Sequence, residues 1–203
     1  MTELLLSTAF SLWGLETSWL ELTAVLLSLG MVLCTVAENH WGWPLAALSS
    51  GLYFVLFWNQ RLYGEAWLQL LFIGLAIWGW SIWLRGVDGV YLPISRMTAR
   101  QRWQMLILAG VLWLFTGVTL LRFTDTDVPW WDAFPTAVSL IGQYLLARKY
   151  LENWAVWIIV NSVALGLFAW KALWLTALLY LLFILLSVIG WRRWSSSMKA
   201  QRT

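Results

Sequence analysis

The chain has 203 residues, of which 61% are hydrophobic and 11% charged, with a mean hydropathy of +0.72. A soluble domain carries about 25% charged residues, so this chain cannot clothe a globule in charge, and much of its solvent is lipid. The net charge of +3 is scattered over short loops, which argues against a nucleic-acid interface, and the single cysteine, Cys34, excludes an intrachain disulfide and a cysteine-built metal site. Cys34 lies in an apolar run and reads as a small buried thiol.

Residues 1–14 form an apolar, acidic lead-in without Lys or Arg near its start. That composition fits a short helix along the membrane interface better than a signal peptide. A bilayer core of about 30 Å needs roughly 20 apolar residues per helix. The chain predicts seven spans, Trp19–Val36, Gly42–Trp58, Tyr63–Leu84, Gln104–Phe123, Pro129–Leu146, Asn153–Trp170 and Leu173–Trp191. The expected fold is therefore an all-α membrane protein.

Its expected parts are a lead-in (1–18), a three-helix repeat (19–84), a basic loop (85–103), a linker helix (104–123), a second three-helix repeat (129–194) and a tail (195–203). Arg85, Arg96, Arg100, Arg102, Arg148, Lys149, Arg192, Arg193, Lys199 and Arg202 fall on one side of these spans, against Arg61, Arg122 and Lys171 on the other. The positive-inside rule then puts the N-terminus outside and the C-terminus in the cytoplasm.

A shift of 111 residues lays the chain on itself without gaps. Trp19 meets Trp130, Ser28 meets Ser139, Trp43 meets Trp154, and Gly79, Trp80 and Trp83 meet Gly190, Trp191 and Trp194. Each repeat holds three spans, so the fourth must return the chain to its starting side. The arithmetic gives 3+1+3 with parallel repeats, a plan found in transporters that bind substrate near midplane between the halves.

Chemistry for an enzyme is missing from the pattern. His40, the single histidine, sits in a short loop without Asp, Glu or Cys at ligand spacing, and the glycines precede no Lys-Ser/Thr pair. No catalytic residue, metal or cofactor is expected. Neutral polar residues at membrane depth remain, namely Gln69 and its equivalent Tyr180, Ser50 and its equivalent Asn161, and Gln143 with Tyr144. Beside Trp43, Trp154 and Trp157 they read as the lining of a cavity for a flat, polar, neutral or weakly cationic molecule. The alternative for each is a hydrogen bond across helices that holds the bundle together. Glu21, Asp132 and Glu65 stand at the outer helix ends, where a carboxylate favours the helix dipole. With no charge at midplane, downhill passage is expected rather than pumping.

The stretch ARKYLENWAVWIIVNSVALGLFAWKALWLTALLY resembles the C-terminal repeat of the PnuC-type vitamin transporters, and WGWPLAALSSGLYFVLFWNQRLYGEAWLQLLF with GWSIW resembles their N-terminal repeat. The resemblance runs from Trp19 to Trp194 and includes DAFPTAVSLIGQYLLARK. It implies a repeat plan like that of the SWEET sugar carriers, a homotrimer in the bacterial inner membrane, and downhill uptake of a vitamin. A cytoplasmic kinase would trap the vitamin by phosphorylation without needing to touch the carrier. Nicotinamide riboside is the first substrate implied, thiamine and riboflavin the alternatives. The family's tryptophan-and-asparagine motif falls on Trp154, Trp157 and Asn161, and its inward-facing Gln on Gln143. A membrane vitamin sensor and an intramembrane enzyme are the competing classes.

Overall fold

The computed structural model describes residues 8–12, 15–59, 63–86, 89, 92–124, 128–170 and 174–200, with side chains from Ser18 onward except at 63–65, 168 and 174–176. Glu3, Arg61, Asp125, Asp127, Lys171, Arg202 and the side chain of Glu65 lie outside the described residues. Seven helices are described: α1 (Trp19–Val36), α2 (Gly42–Asn59), α3 (Tyr63–Arg85), α4 (Ala99–Phe123), α5 (Pro129–Ala147), α6 (Asn153–Trp170) and α7 (Trp174–Ala200). They fall on the seven expected spans. The segments Trp19–Val36, Ala66–Arg85, Ala99–Phe123 and Ala177–Ala200 are long and apolar enough to cross a membrane, and Asn153–Leu167 is a shorter apolar helix. Their outward faces stay apolar, with Trp67, Ile107, Phe115 and Leu185 all exposed, as a lipid-facing surface requires.

At residues 8–12 of the lead-in a strand stands where an interfacial helix is expected, and 1–7, 13 and 14 lie outside the described residues. Strands β1 (Thr8–Leu12) and β2 (Leu15–Ser18) pair as an antiparallel hairpin. β2 runs straight into α1, where Ser18 caps the helix by accepting the Glu21 N–H at 3.1 Å. Glu21 and Asp132 both stand in the first turn of their helices, the place where a carboxylate suits the dipole.

The chain divides into two compact units, Met1–Gly86 and Val87–Thr203. In the first, α2 packs against both α1 and α3; in the second, α4 packs on α5, α5 on α6 and α6 on α7. The Ser49 hydroxyl joins α1 to α2, lying 2.7 Å from the Ser28 hydroxyl and donating to the Ala24 carbonyl at 3.0 Å. Small hydroxyl residues let two helix backbones approach and tie them where lipid offers no partner. Cys34, expected to be buried, is half-buried near the tight turn into α2.

The two units share one turn in atomic detail. Glu38 and Lys149, 111 residues apart, are the described non-glycine residues with positive φ, at 56° and 51°. In the first unit the Glu38 N–H donates to the Thr35 carbonyl at 3.0 Å and the Asn39 N–H to the Cys34 carbonyl at 2.8 Å. In the second unit the Lys149 N–H donates to Leu146 at 3.0 Å and the Tyr150 N–H to Leu145 at 2.9 Å. Both are Schellman endings, which satisfy the last carbonyls of a helix through a left-handed residue. The next helix then starts alike, with Gly42 N–H to Asn39 and Asn153 N–H to Tyr150, both at 3.1 Å. The sequence repeat is thus also a repeat of backbone hydrogen bonds.

Two helices run further than apolarity alone predicts. α4 begins at Ala99 rather than at 104, because Thr98 and Gln101 form a capping box. The Thr98 N–H donates to Gln101 Oε1 at 2.8 Å, and the Gln101 N–H to Thr98 Oγ1 at 3.3 Å. α7 continues through Arg192, Arg193 and Lys199 to Ala200, so the described part of the expected tail is helical.

Candidate functional site

The polar residues expected to line a cavity do not behave alike. In the first unit the residue that binds across helices is Ser49, and the expected Ser50 is half-buried beside it. Gln69 is half-buried on α3. Trp43 is 4% exposed, with its ring packed over Gly79 and edge-on to Trp83 at 5.6 Å and 83°.

The second unit brings four of the expected residues onto two neighbouring helices. Gln143 on α5 and Asn161 on α6 are each 7% exposed, and Trp154 on α6 is 2% exposed. Trp157 lies over Gly142, next to Gln143: a Cβ on that glycine would stand 3.1 Å from Trp157 Cε2. Trp154 faces α7 instead, packed over Gly190 and edge-on to Trp194 at 5.4 Å and 87°. Such edge-to-face pairs add about 0.5–1.5 kcal/mol beyond their buried area. Tyr180, also expected here, is half-buried on α7 with its ring against Phe183 at 6.2 Å.

Hydrogen bonding singles out part of this set. Gln143 Oε1 and Trp154 Nε1 are buried without a partner among the described residues. The Asn161 side chain likewise makes no hydrogen bond among them. Trp80 Nε1, Asn153 Oδ1 and Ser195 Oγ are the other buried side-chain atoms in that state. An unmet buried donor or acceptor costs roughly 1–3 kcal/mol, so each marks a place where a partner would be welcome.

Sequence reading missed the contacts that brace this unit. Segment 92–98, part of the expected basic loop, docks on the turn after α5. Ser95 N–H donates to the Lys149 carbonyl at 3.1 Å, and Leu151 N–H to the Ser95 carbonyl at 2.9 Å. Both oxygens of Glu152 accept from the Met97 N–H at 3.2 Å, and Glu152 also pairs with Arg102 at 2.8 Å. Gln101 Nε2 donates to the Tyr150 hydroxyl at 3.1 Å. Ile94 and Met97 bury their side chains, and Met97 joins a core with Ile141 and Leu145. The sequence signals were the Thr98-x-x-Gln101 box and an acidic residue, Glu152, within a basic stretch.

At another place in this unit, α4 is fixed to α5. Trp130 packs over Gly117, and the Trp113 indole donates to the Trp130 carbonyl at 2.9 Å. An open aromatic crevice of about 430 Å³ lies here, lined by Trp113, Trp130, Trp131, Phe134 and Val163. None of the expected site residues lines it.

A family model described as nicotinamide mononucleotide transporter matches residues 18–196. The chain belongs to the nicotinamide mononucleotide transporter family. It is a multi-pass membrane protein of transporter lineage. Similar relatives include "Nicotinamide riboside transporter PnuC" of Escherichia coli strain K12, 23% identical over 91% of this chain and 88% of that one. The protein of that name from Neisseria mucosa is 26% identical over 90% of this chain and 74% of its own. "Riboflavin/roseoflavin transporter RibM" of Streptomyces davaonensis is 25% identical over 93% and 90%. A solved structure described as the vitamin B3 transporter PnuC has the same fold, with a TM-score of 0.71 at 23% identity, covering 90% of this chain and 83% of that one.

Proposed function

We propose that this family member carries nicotinamide riboside down its gradient across a bacterial plasma membrane, with phosphorylation inside the cell trapping the product. The observation that carries the reading is a set of buried polar groups on α5 and α6 in the second unit. Gln143 Oε1 and the Trp154 indole N–H are buried without partners among the described residues, and Asn161, 7% exposed, makes no hydrogen bond among them. A riboside supplies hydroxyl donors and acceptors for these groups. Its pyridinium ring suits an indole face, an attraction worth about 0.5–2 kcal/mol. The Asp, Glu, Lys and Arg residues of the helices lie toward their ends, leaving no charged group in the central turns for an ion-coupled cycle. The basic loops and C-terminus face the cytoplasm in this reading, and three copies associate.

The test is uptake of labelled nicotinamide riboside into liposomes that hold this protein alone, without an ion gradient. Flux that follows the vitamin gradient supports the proposal. Binding without flux makes the protein a sensor, and abolition of initial uptake by an uncoupler makes it a pump. A second substrate, riboflavin, is favoured by the similarity to the Streptomyces davaonensis relative, which spans nearly the whole of both chains. Calorimetry with nicotinamide riboside, thiamine and riboflavin on one preparation ranks the candidates.

A further inference from the structure

Gly79 and Gly190 open the two copies of the Gly-Trp-x-x-Trp pattern, and their surroundings explain why each is a glycine. A Cβ on Gly190 would lie 2.5 Å from both Cη2 and Cζ2 of Trp154 and 2.6 Å from Cε2. A Cβ on Gly79 would lie 2.6 Å from Cζ3 and 2.7 Å from Cζ2 of Trp43. Such atoms do not approach within 3.0 Å, and the obstacle is a rigid ring rather than the end of a flexible chain. Four residues on, Trp194 and Trp83 stand edge-on to the same rings. On a helix, residues four apart share a face, so each glycine forms the floor of a slot and each tryptophan its wall. Gly166 and Gly74, on α6 and α3, meet nothing within 4 Å, so glycine as such is not what these helices require.

We propose that Gly190, with Trp194, is a positioning residue for recognition: the slot on α7 sets the plane of the Trp154 indole and so the direction of its unpaired N–H. Gly79 and Trp83 likewise set the plane of the Trp43 ring. The inference rests on the reading that Trp154 belongs to the substrate face. It adds that the orientation of an α6 side chain is dictated by α7, through a residue that never touches the ligand.

The test is a double-mutant cycle of Gly190→Ala and Trp154→Phe on the purified full chain, read by thermal melting and by nicotinamide riboside calorimetry. Gly190→Ala is expected to weaken binding at least tenfold, whereas Gly166→Ala leaves it unchanged. Adding Trp154→Phe, whose smaller ring makes room for the methyl group, is expected to recover melting temperature but not affinity, because the indole N–H is gone, so Gly190→Ala costs no binding beyond that of Trp154→Phe alone. If Gly190→Ala fails to fold, rescue of folding by Trp154→Phe is the supporting result. Unchanged binding in Gly190→Ala overturns the proposal, and so do additive losses in melting or a double variant that also fails to fold. Coupling in the melting cycle without wild-type binding of nicotinamide riboside overturns the substrate reading and leaves the slot standing.

Discussion

Glu152 accepts the Met97 N–H with both carboxylate oxygens while pairing with Arg102 across 50 residues of sequence. One side chain thereby holds the entry to α4 against the turn between α5 and α6. The backbone acceptor role and the ion pair are not equal partners in this. Arg102 is 51% exposed and Glu152 is 15% exposed, so water and salt screen the charge pair, whereas Met97 is 8% exposed.

Glu152→Ala is therefore expected to destabilise the protein by about 1–2 kcal/mol, the cost of an orphaned backbone donor plus a lost, screened ion pair. Arg102→Ala should cost less than about 1 kcal/mol, in the range of exposed ion pairs. Glu152→Gln, which keeps an acceptor, should fall between them. Melting in detergent at two salt concentrations checks the order, and the Arg102→Ala effect, which is the ion pair alone, should shrink with salt by a larger share than that of Glu152→Ala.

For the first unit, the residue to change is Ser49. Ser49→Ala removes its bonds to Ser28 and to the Ala24 carbonyl, and should cost about 1 kcal/mol. Ser50→Ala, which takes away a half-buried hydroxyl with no hydrogen bond among the described residues, should stay within about 0.5 kcal/mol. Equal losses at the two positions would mean that α2 is rotated relative to the structure described here.

Asn161→Ala separates recognition from packing. An amide that tied helices together would destabilise the protein on removal. This one has no partner among the described residues, so its loss should leave the melting temperature unchanged or slightly raised. Binding of nicotinamide riboside should weaken roughly tenfold or more, since one lost hydrogen bond is worth about 1.5 kcal/mol or above when it leaves ligand groups unpaired. A fall in melting temperature with intact affinity would falsify the assignment.

The left-handed turn offers a test of the repeat. A β-branched residue is strained at positive φ, so Glu38→Val should destabilise by about 1–2 kcal/mol and Glu38→Asn by much less. The same ranking is expected for Val and Asn at Lys149. Different rankings at the two sites would mean that neighbouring contacts, not backbone geometry, decide the turn.

Much of this architecture is legible in the sequence because lipid imposes a simple rule: apolar runs of the right length become helices. The repeat is legible because Trp and Gly recur at the 111-residue shift in places where Leu alone would mean little. Depth within the membrane is therefore readable, but rotation is not. α2 and α3 are apolar on every side, and a helix without a polar face gives no sign of which residue turns inward. Ser50 thus reads as cavity lining while its neighbour Ser49 makes the bonds across helices; Asn161 is reached from the face it shares with Trp154 and Trp157, and Gln143 from its depth and the motif. The start of α4 was missed because apolarity ends where lipid ends, whereas Thr98 and Gln101 cap the helix beyond it. The hairpin at residues 8–18 lies in a segment whose apolar composition suits strand and helix equally.

The brace on the second unit also bears on how such a protein could be re-engineered. Where Glu152 stands in one half, the other has Trp41, 58% exposed with its ring tilted against that of His40. The halves are kin in backbone but not interchangeable modules. A chimera carrying the first half twice would keep both elbows, yet its connecting segment would find an indole where it needs a carboxylate to grip.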